Sequence, residues 1–144
     1  MIYTPMTKAA LKLCFEAHKD QTDKSGMPYV FHPFHLAELM PDEKTTVVAL
    51  LHDVIEDTEY TIDDLKNMGF SDDILSAIAL MTHADGIPYM EYVALIKANP
   101  IAKTVKLADL RHNSDLSRLD KVTAQDRERA EKYKKAIELL ESSD

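Results

Sequence analysis

Leu50-Leu51-His52-Asp53-Val54-Ile55-Glu56-Asp57 closes an apolar run, Val47-Val48-Ala49-Leu50-Leu51, and decides how the rest of the chain reads. The run is a buried helix whose last two turns carry one histidine and three acids. On a helix His52 and Glu56 are i,i+4 neighbours, as are Asp53 and Asp57, while Asp53 and Glu56 are i,i+3. One side of the helix end therefore holds four groups able to bind a metal or move protons. A solvated last turn with idle acids is the bland alternative. Against it, acids at a helix C-terminus oppose the macrodipole, and core helices take such groups only when they are paired or used.

Outward from that stretch, the bulk numbers set bounds. A chain of 144 residues reads as one domain, 1–144, long enough to bury a core. Only three glycines and few β-branched runs argue for helix over sheet. The single cysteine, Cys14, rules out an internal disulfide and a cysteine-based zinc site, and its apolar stripe makes it a packed thiol. Met1-Ile-Tyr-Thr-Pro5 lacks the regions of a signal peptide, and no stretch has the length of a membrane span. The expectation is a cytoplasmic protein with no membrane partner. A formal net charge of −8 also argues against broad nucleic-acid binding. It leaves room for an anionic small substrate, because a metal ion can dominate the local field.

Helix signals recur along the chain. Thr4-Pro5 caps a first helix through about Lys19, with Leu11, Leu13, Cys14 and Phe15 among its apolar positions. Residues 20–31 read as an ordered loop, and His32-Pro33 opens a short helix to Met40. Asp42 caps the helix of the opening motif. Thr61 with Asp64 begins a fourth, ended by Gly69, and Ser71 caps a fifth through Met81. Pro88–Ala98 is a sixth, Asn99-Pro100 opens a seventh, and Thr123 caps a charged, amphipathic last helix. Met6, Met40, Met68, Met81 and Met90 read as core filler. The expected class is all-α, a single-domain helical bundle.

Three sets of residues then carry chemistry: His32 at a loop-to-helix junction, the His52–Asp57 group, and Asp109 with Asn113 one turn on. Asp109 lies in an apolar run, where a carboxylate is costly unless paired or metal-bound. His18, His35, His83 and His112 read as surface or supporting residues. His32, then His52-Asp53 with Glu56-Asp57, then Asp109, resembles the pattern of the HD-domain metal-dependent phosphohydrolases. The strings Lys24-Ser-Gly-Met-Pro-Tyr-Val-Phe-His32-Pro, Leu50–Thr58 and Lys106-Leu-Ala-Asp109 are similar to the hydrolase domain of RelA/SpoT-type alarmone enzymes. The similarity covers roughly residues 8–120.

That resemblance implies an HD-domain bundle that removes the 3′-pyrophosphate from (p)ppGpp, a small nucleotide substrate. It implies that His32, His52, Asp53 and Asp109 hold one divalent metal, manganese in those enzymes. Two imidazoles and two carboxylates suit Mn, Fe or Zn better than Mg. Glu56 and Asp57 match the catalytic pair, and Lys24, Ser25 and Asn113 match positions beside the nucleotide. Two places depart from the pattern. Asp23 stands where alarmone hydrolases commonly carry a base-stacking arginine, and Leu110-Arg111 inverts their Arg-Leu order, turning the arginine by about 100° around the helix. A nucleotidase for another phosphorylated metabolite, or a catalytically silent nucleotide sensor, are the rival readings. Retention of Glu56 and Asp57 speaks against the sensor, which needs no water-activating pair.

Overall fold

Helix α3, Glu43–Asp57, lies at the centre of the computed structural model, which describes residues 1–143. Around it stand α1 (Pro5–His18), α2 (Phe31–Glu38), α5 (Asp72–Met81) and α7 (Pro100–Asn113). The short α4 (Ile62–Asn67) leans on α5, and α6 (Tyr89–Lys97) and α8 (Ala124–Glu141) pack on one another and on α7. A 3-10 turn, Leu116–Arg118, joins α7 to α8. Among the described residues the only strand-like pairing is a single bridge between Thr22 and Pro28. The all-α expectation is met.

The central place of α3 follows from its composition. Every residue from Thr45 to Val54 is buried, so the helix is covered on all sides rather than along one stripe. Each fully buried leucine or valine there contributes about 1.5–3 kcal/mol. The penalty for acids in the last turn is about 0.3–1 kcal/mol apiece. Packing wins, and the helix carries His52 and Asp53 into the interior with it.

Local capping chemistry sets the ends. Asp42 accepts from the Thr45 amide at 2.9 Å, and Asn99 from the Ala102 amide at 3.0 Å. Thr61–Asp64 and Thr123–Asp126 form reciprocal capping boxes, with Asp doing what Glu usually does. Gly69 ends α4 at φ +96°, a region L side chains avoid. Ser71 occupies the N-cap of α5 without capping it, because its hydroxyl donates to Asp73 instead.

Some side chains fall elsewhere than expected. Met40 and Met81 are core residues, whereas Met68 and Met90 are exposed. Phe15 leaves the apolar stripe of α1 and lines a surface groove with Phe31 and Phe34. His18 is not a surface histidine. It is fully buried, with Nδ1 2.8 Å from Gln21 Oε1. Cys14 is buried as expected, and burial, reinforced by Asp53, pushes its thiol up to about 12. The native protein should therefore resist iodoacetamide at pH 8 and take up one equivalent only in denaturant. Rapid native labelling, read by mass spectrometry, would show the thiol to be accessible.

Candidate metal centre and substrate cavity

The end of α3 meets the start of α2 and the middle of α7, and that junction gathers the polar residues. His32 is the second residue of α2, held there by the loop whose Tyr29 amide donates to the Gln21 carbonyl. Asp109 lies on the face of α7 that packs on α3. His32, His52 and Asp109 are all buried and each offers a ligand atom within 4.8 Å of the others'. Asp53 stands beside them, its Oδ1 3.2 Å from His52 Nε2 and its Oδ2 4.0 Å from His32 Nε2. The Tyr29 hydroxyl donates to Asp53 Oδ2 and fixes that carboxylate.

His52 makes the strongest case for a cation. A carbonyl oxygen can only accept, so the 2.8 Å contact between Nδ1 and Ala49 O means that Nδ1 carries the proton. Nε2 is then an unprotonated lone pair in the neutral ring. It is buried and hydrogen-bonded to nothing among the described residues, yet it faces Asp53 Oδ1 at 3.2 Å and Asp109 Oδ1 at 3.7 Å. A lone pair among carboxylate oxygens needs a positive charge. A second proton supplies one: burial opposes the charged ring, but Asp53 and Asp109 outweigh it and raise the imidazole well above its ordinary value. A divalent metal supplies another. The donor set fits such an ion on chemistry and on geometry.

Other residues hold these four in place. His32 presents Nε2 to Asp109 Oδ1 at 2.8 Å and Nδ1 to His112 Nδ1 at 2.6 Å. Burial first, then His32 and Arg118, push His112 down to about 4, so its ring is neutral near pH 7 and accepts the His32 proton. His112 is sandwiched between His32 and His35, with ring centroids 4.9 and 4.2 Å away. Asp109 also receives Lys106 Nζ at 3.1 Å and Asn113 Nδ2 at 3.2 Å. Burial would neutralise Asp109, but Lys106 and the two histidines keep it ionised. Lys106 has no assigned role in the sequence alone, and His112 reads there only as a surface or supporting residue. The one available signal for Lys106 was its i,i+3 spacing to an acid inside an apolar run.

His52, Asp53 and Asp109 of the cluster open into a cavity of about 160 Å³ lined also by Glu56, Tyr89, Lys106 and Asn113. Glu56 sits at the rim and accepts from the His83 amide at 3.4 Å. Burial, then Asp53 and Asp57, raise its carboxyl above the usual range. Asp57 is raised in the same way, but its side chain stands outside this lining. Tyr29, Asn113 and Tyr133 are shared with a second cavity of about 440 Å³, whose wall includes Lys24 and Ser25. Asn113 therefore touches both a cluster carboxylate and the larger cavity.

Asp23 has a structural reason to be where it is. Its Oδ1 accepts from the amides of Ser25 and Met27 at 2.9 and 3.0 Å, closing the turn in which Gly26 adopts φ +78°. Its Oδ2 lies 3.9 Å from Arg118, which lines the larger cavity beside it. Arg111 faces away and pairs with Glu141 at 2.8 Å, while Leu110 takes the core position.

Comparison with known proteins agrees with this architecture. The family model described as HD domain matches residues 10–139. A GTP pyrophosphokinase of Streptomyces coelicolor is 36% identical over 137 residues, 86% of this chain and 15% of the relative. Guanosine-3′,5′-bis(diphosphate) 3′-pyrophosphohydrolase of Aquifex aeolicus is 34% identical over 116 residues, 72% of this chain and 16% of the relative. The chain thus spans about a sixth of the length of these curated relatives. A solved structure, described as a metazoan ortholog of SpoT that hydrolyzes ppGpp and plays a role in starvation responses, superposes with a TM-score of 0.78. That match covers 100% of this chain and 90% of the other at 24% identity, and establishes the shared fold. Among the described residues no helix is long and apolar enough to cross a membrane.

Proposed function

This chain belongs to the HD-domain family, and from that premise we propose that it is a metal-dependent phosphohydrolase removing the 3′-diphosphate of guanosine tetra- and pentaphosphate. The observation that carries the chemistry is the buried, unpartnered Nε2 of His52 among His32, Asp53 and Asp109. The substrate follows the relatives named as 3′-pyrophosphohydrolases. His32, His52, Asp53 and Asp109 would hold a divalent cation, manganese on the family's precedent, which when bound would supply Lewis-acid polarisation and a more acidic water.

The protein groups divide the remaining work. Glu56, on the rim of the small cavity, orients the attacking water and takes its proton. The water oxygen bonds to the phosphorus attached to the ribose 3′ oxygen. The P–O3′ bond breaks, the 3′ oxygen leaves with the proton that Glu56 took from the water, passed on with the help of Asp57, and the phosphorus that gained the water oxygen departs as pyrophosphate. Asp57, one residue on, assists proton transfer at the mouth. Lys24, Ser25 and Asn113 line the adjoining cavity and hold the nucleotide there.

A second reading is favoured by one observation. On the larger cavity wall, Lys24 and Arg129 both pair with Asp126, and Arg118 faces Asp23. Such balanced charge suits a monophosphate better than a substrate with two diphosphates. Incubation of metal-loaded protein with (p)ppGpp and with nucleoside monophosphates, measuring released pyrophosphate and phosphate separately, decides between them. The expected products are pyrophosphate and the guanosine 5′-phosphates. Phosphate released from monophosphates alone would replace the alarmone reading with the nucleotidase one.

A further inference from the structure

Three buried side-chain nitrogen or oxygen atoms lack a hydrogen-bond partner among the described residues: His18 Nε2, His52 Nε2 and the Tyr89 hydroxyl. Two of these three residues line the same small cavity. A cation accounts for His52. Tyr89 has no such explanation, and a buried hydroxyl without a partner is destabilising.

Tyr89 is the first residue of α6, and its ring is tightly held. Tyr92, Tyr133 and His83 surround it at centroid distances of 5.8, 6.2 and 6.0 Å, and Lys132 Nζ sits 4.3 Å over it. The ring cannot swing its hydroxyl out to solvent without breaking these contacts. Lys106 lines the same cavity, its ammonium 3.1 Å from Asp109 Oδ2 and 5.2 Å from the Tyr92 ring centroid. A neutral donor and a cation therefore share a cavity with the carboxylate–imidazole cluster. This is the arrangement that stabilises negative charge appearing on a reacting group.

We propose that Tyr89 is a catalytic residue whose hydroxyl donates a hydrogen bond to a non-bridging oxygen of the phosphoryl group under attack, beside Lys106. The assignment rests on reading the cavity as a phosphohydrolase site. It involves no proton transfer: the O–H bond stays intact while the phosphorus exchanges one oxygen for another. Burial pushes the Tyr89 phenol up to about 12, which keeps it a donor throughout the working pH range. In the transition state the charge is spread over three equatorial oxygens, and a donor held rigidly at one of them meets that planar arrangement better than the tetrahedral ground state, so the contact acts more on kcat than on KM.

Tyr89→Phe removes the hydroxyl and keeps the ring. With equal metal content confirmed by elemental analysis, kcat should fall by roughly tenfold to a hundredfold, the low side for a lost donor because Lys106 and the metal remain. Inorganic phosphate should bind the metal-loaded variant several-fold more weakly by calorimetry. The melting temperature should hold or rise, because an unsatisfied buried group has been removed. A kcat within twofold of the native value would overturn the assignment. So would a fall of several degrees in melting temperature accompanying lost activity, which would mark the hydroxyl as structural. Should the native protein leave (p)ppGpp untouched, the proposed function fails but the phosphate measurement still decides. Equal phosphate binding by native and variant proteins, or none by either, would then refute the role of Tyr89.

Discussion

Asp109→Ala is expected to strip the protein of its metal and end turnover. No other carboxylate in the cluster has so many partners: His32 Nε2 at 2.8 Å, Lys106 Nζ at 3.1 Å, Asn113 Nδ2 at 3.2 Å and His52 Nε2 at 3.7 Å. Losing a group that merely orients a metal ligand costs about 10–100-fold in affinity, so losing a ligand should cost more. The alanine change also leaves the Lys106 ammonium buried without a counter-charge. Breaking such a pair costs about 3–5 kcal/mol, a large part of the 5–15 kcal/mol that holds a domain together. Unfolding could therefore imitate loss of the site. Asp109→Asn separates the two, since it keeps the volume and one acceptor oxygen while removing the charge. That variant should retain native helicity by circular dichroism and still emerge from gel filtration without stoichiometric metal. Full metal occupancy together with native turnover would remove Asp109 from the ligand set.

The fold was legible where a side chain acts on its own helix. Asp42, Thr61, Asn99 and Thr123 cap helices they themselves begin, so the effect lies within three residues of the cause. The cluster was legible for a different reason. His52, Asp53 and Asp109 are polar residues in apolar runs, and burying them without use is too costly to be incidental. His112, Tyr89 and Arg118 were hidden because each matters through contacts far along the chain. His112 meets His32 across 80 residues, and Arg118 meets Asp23 from the far side of α7 in the chain. Nothing in the string Arg111-His-Asn113 tells which way an imidazole turns, and a tyrosine at a helix start looks like any amphipathic residue. Lys106 is hidden although its partner Asp109 is only three residues away, because a lysine is almost never fully buried unless paired and reads first as a solvated cation. Phe15 went wrong in the opposite sense: the apolar stripe of α1 is wider than the surface α3 can cover.

Glu56→Gln should leave the metal in place and slow the reaction by roughly two to four orders of magnitude, the usual worth of a positioned acid–base group. Glu56 is an i,i+4 neighbour of His52 on α3, but the four-residue cluster makes its close contacts without it. Its carboxyl lines the small cavity and is steadied by the His83 amide. Partial burial, with Asp53 and Asp57 nearby, lifts its proton affinity above that of an ordinary glutamate. A base of that kind is better matched to water near neutral pH than a fully solvated carboxylate. The sign of the pH dependence follows: a base works when unprotonated, so the native rate should climb as pH rises through the elevated Glu56 pKa. Glutamine cannot titrate, so the variant should lose that acid limb as well as most of its rate. Asp57→Asn, altering a carboxyl outside the cavity lining, should cost less. Single-turnover hydrolysis across pH 4–8, with metal content checked at each end, reads all of these effects. Near-native turnover in Glu56→Gln, with the acid limb intact, would show that Glu56 is a rim acid and that the water is activated from elsewhere.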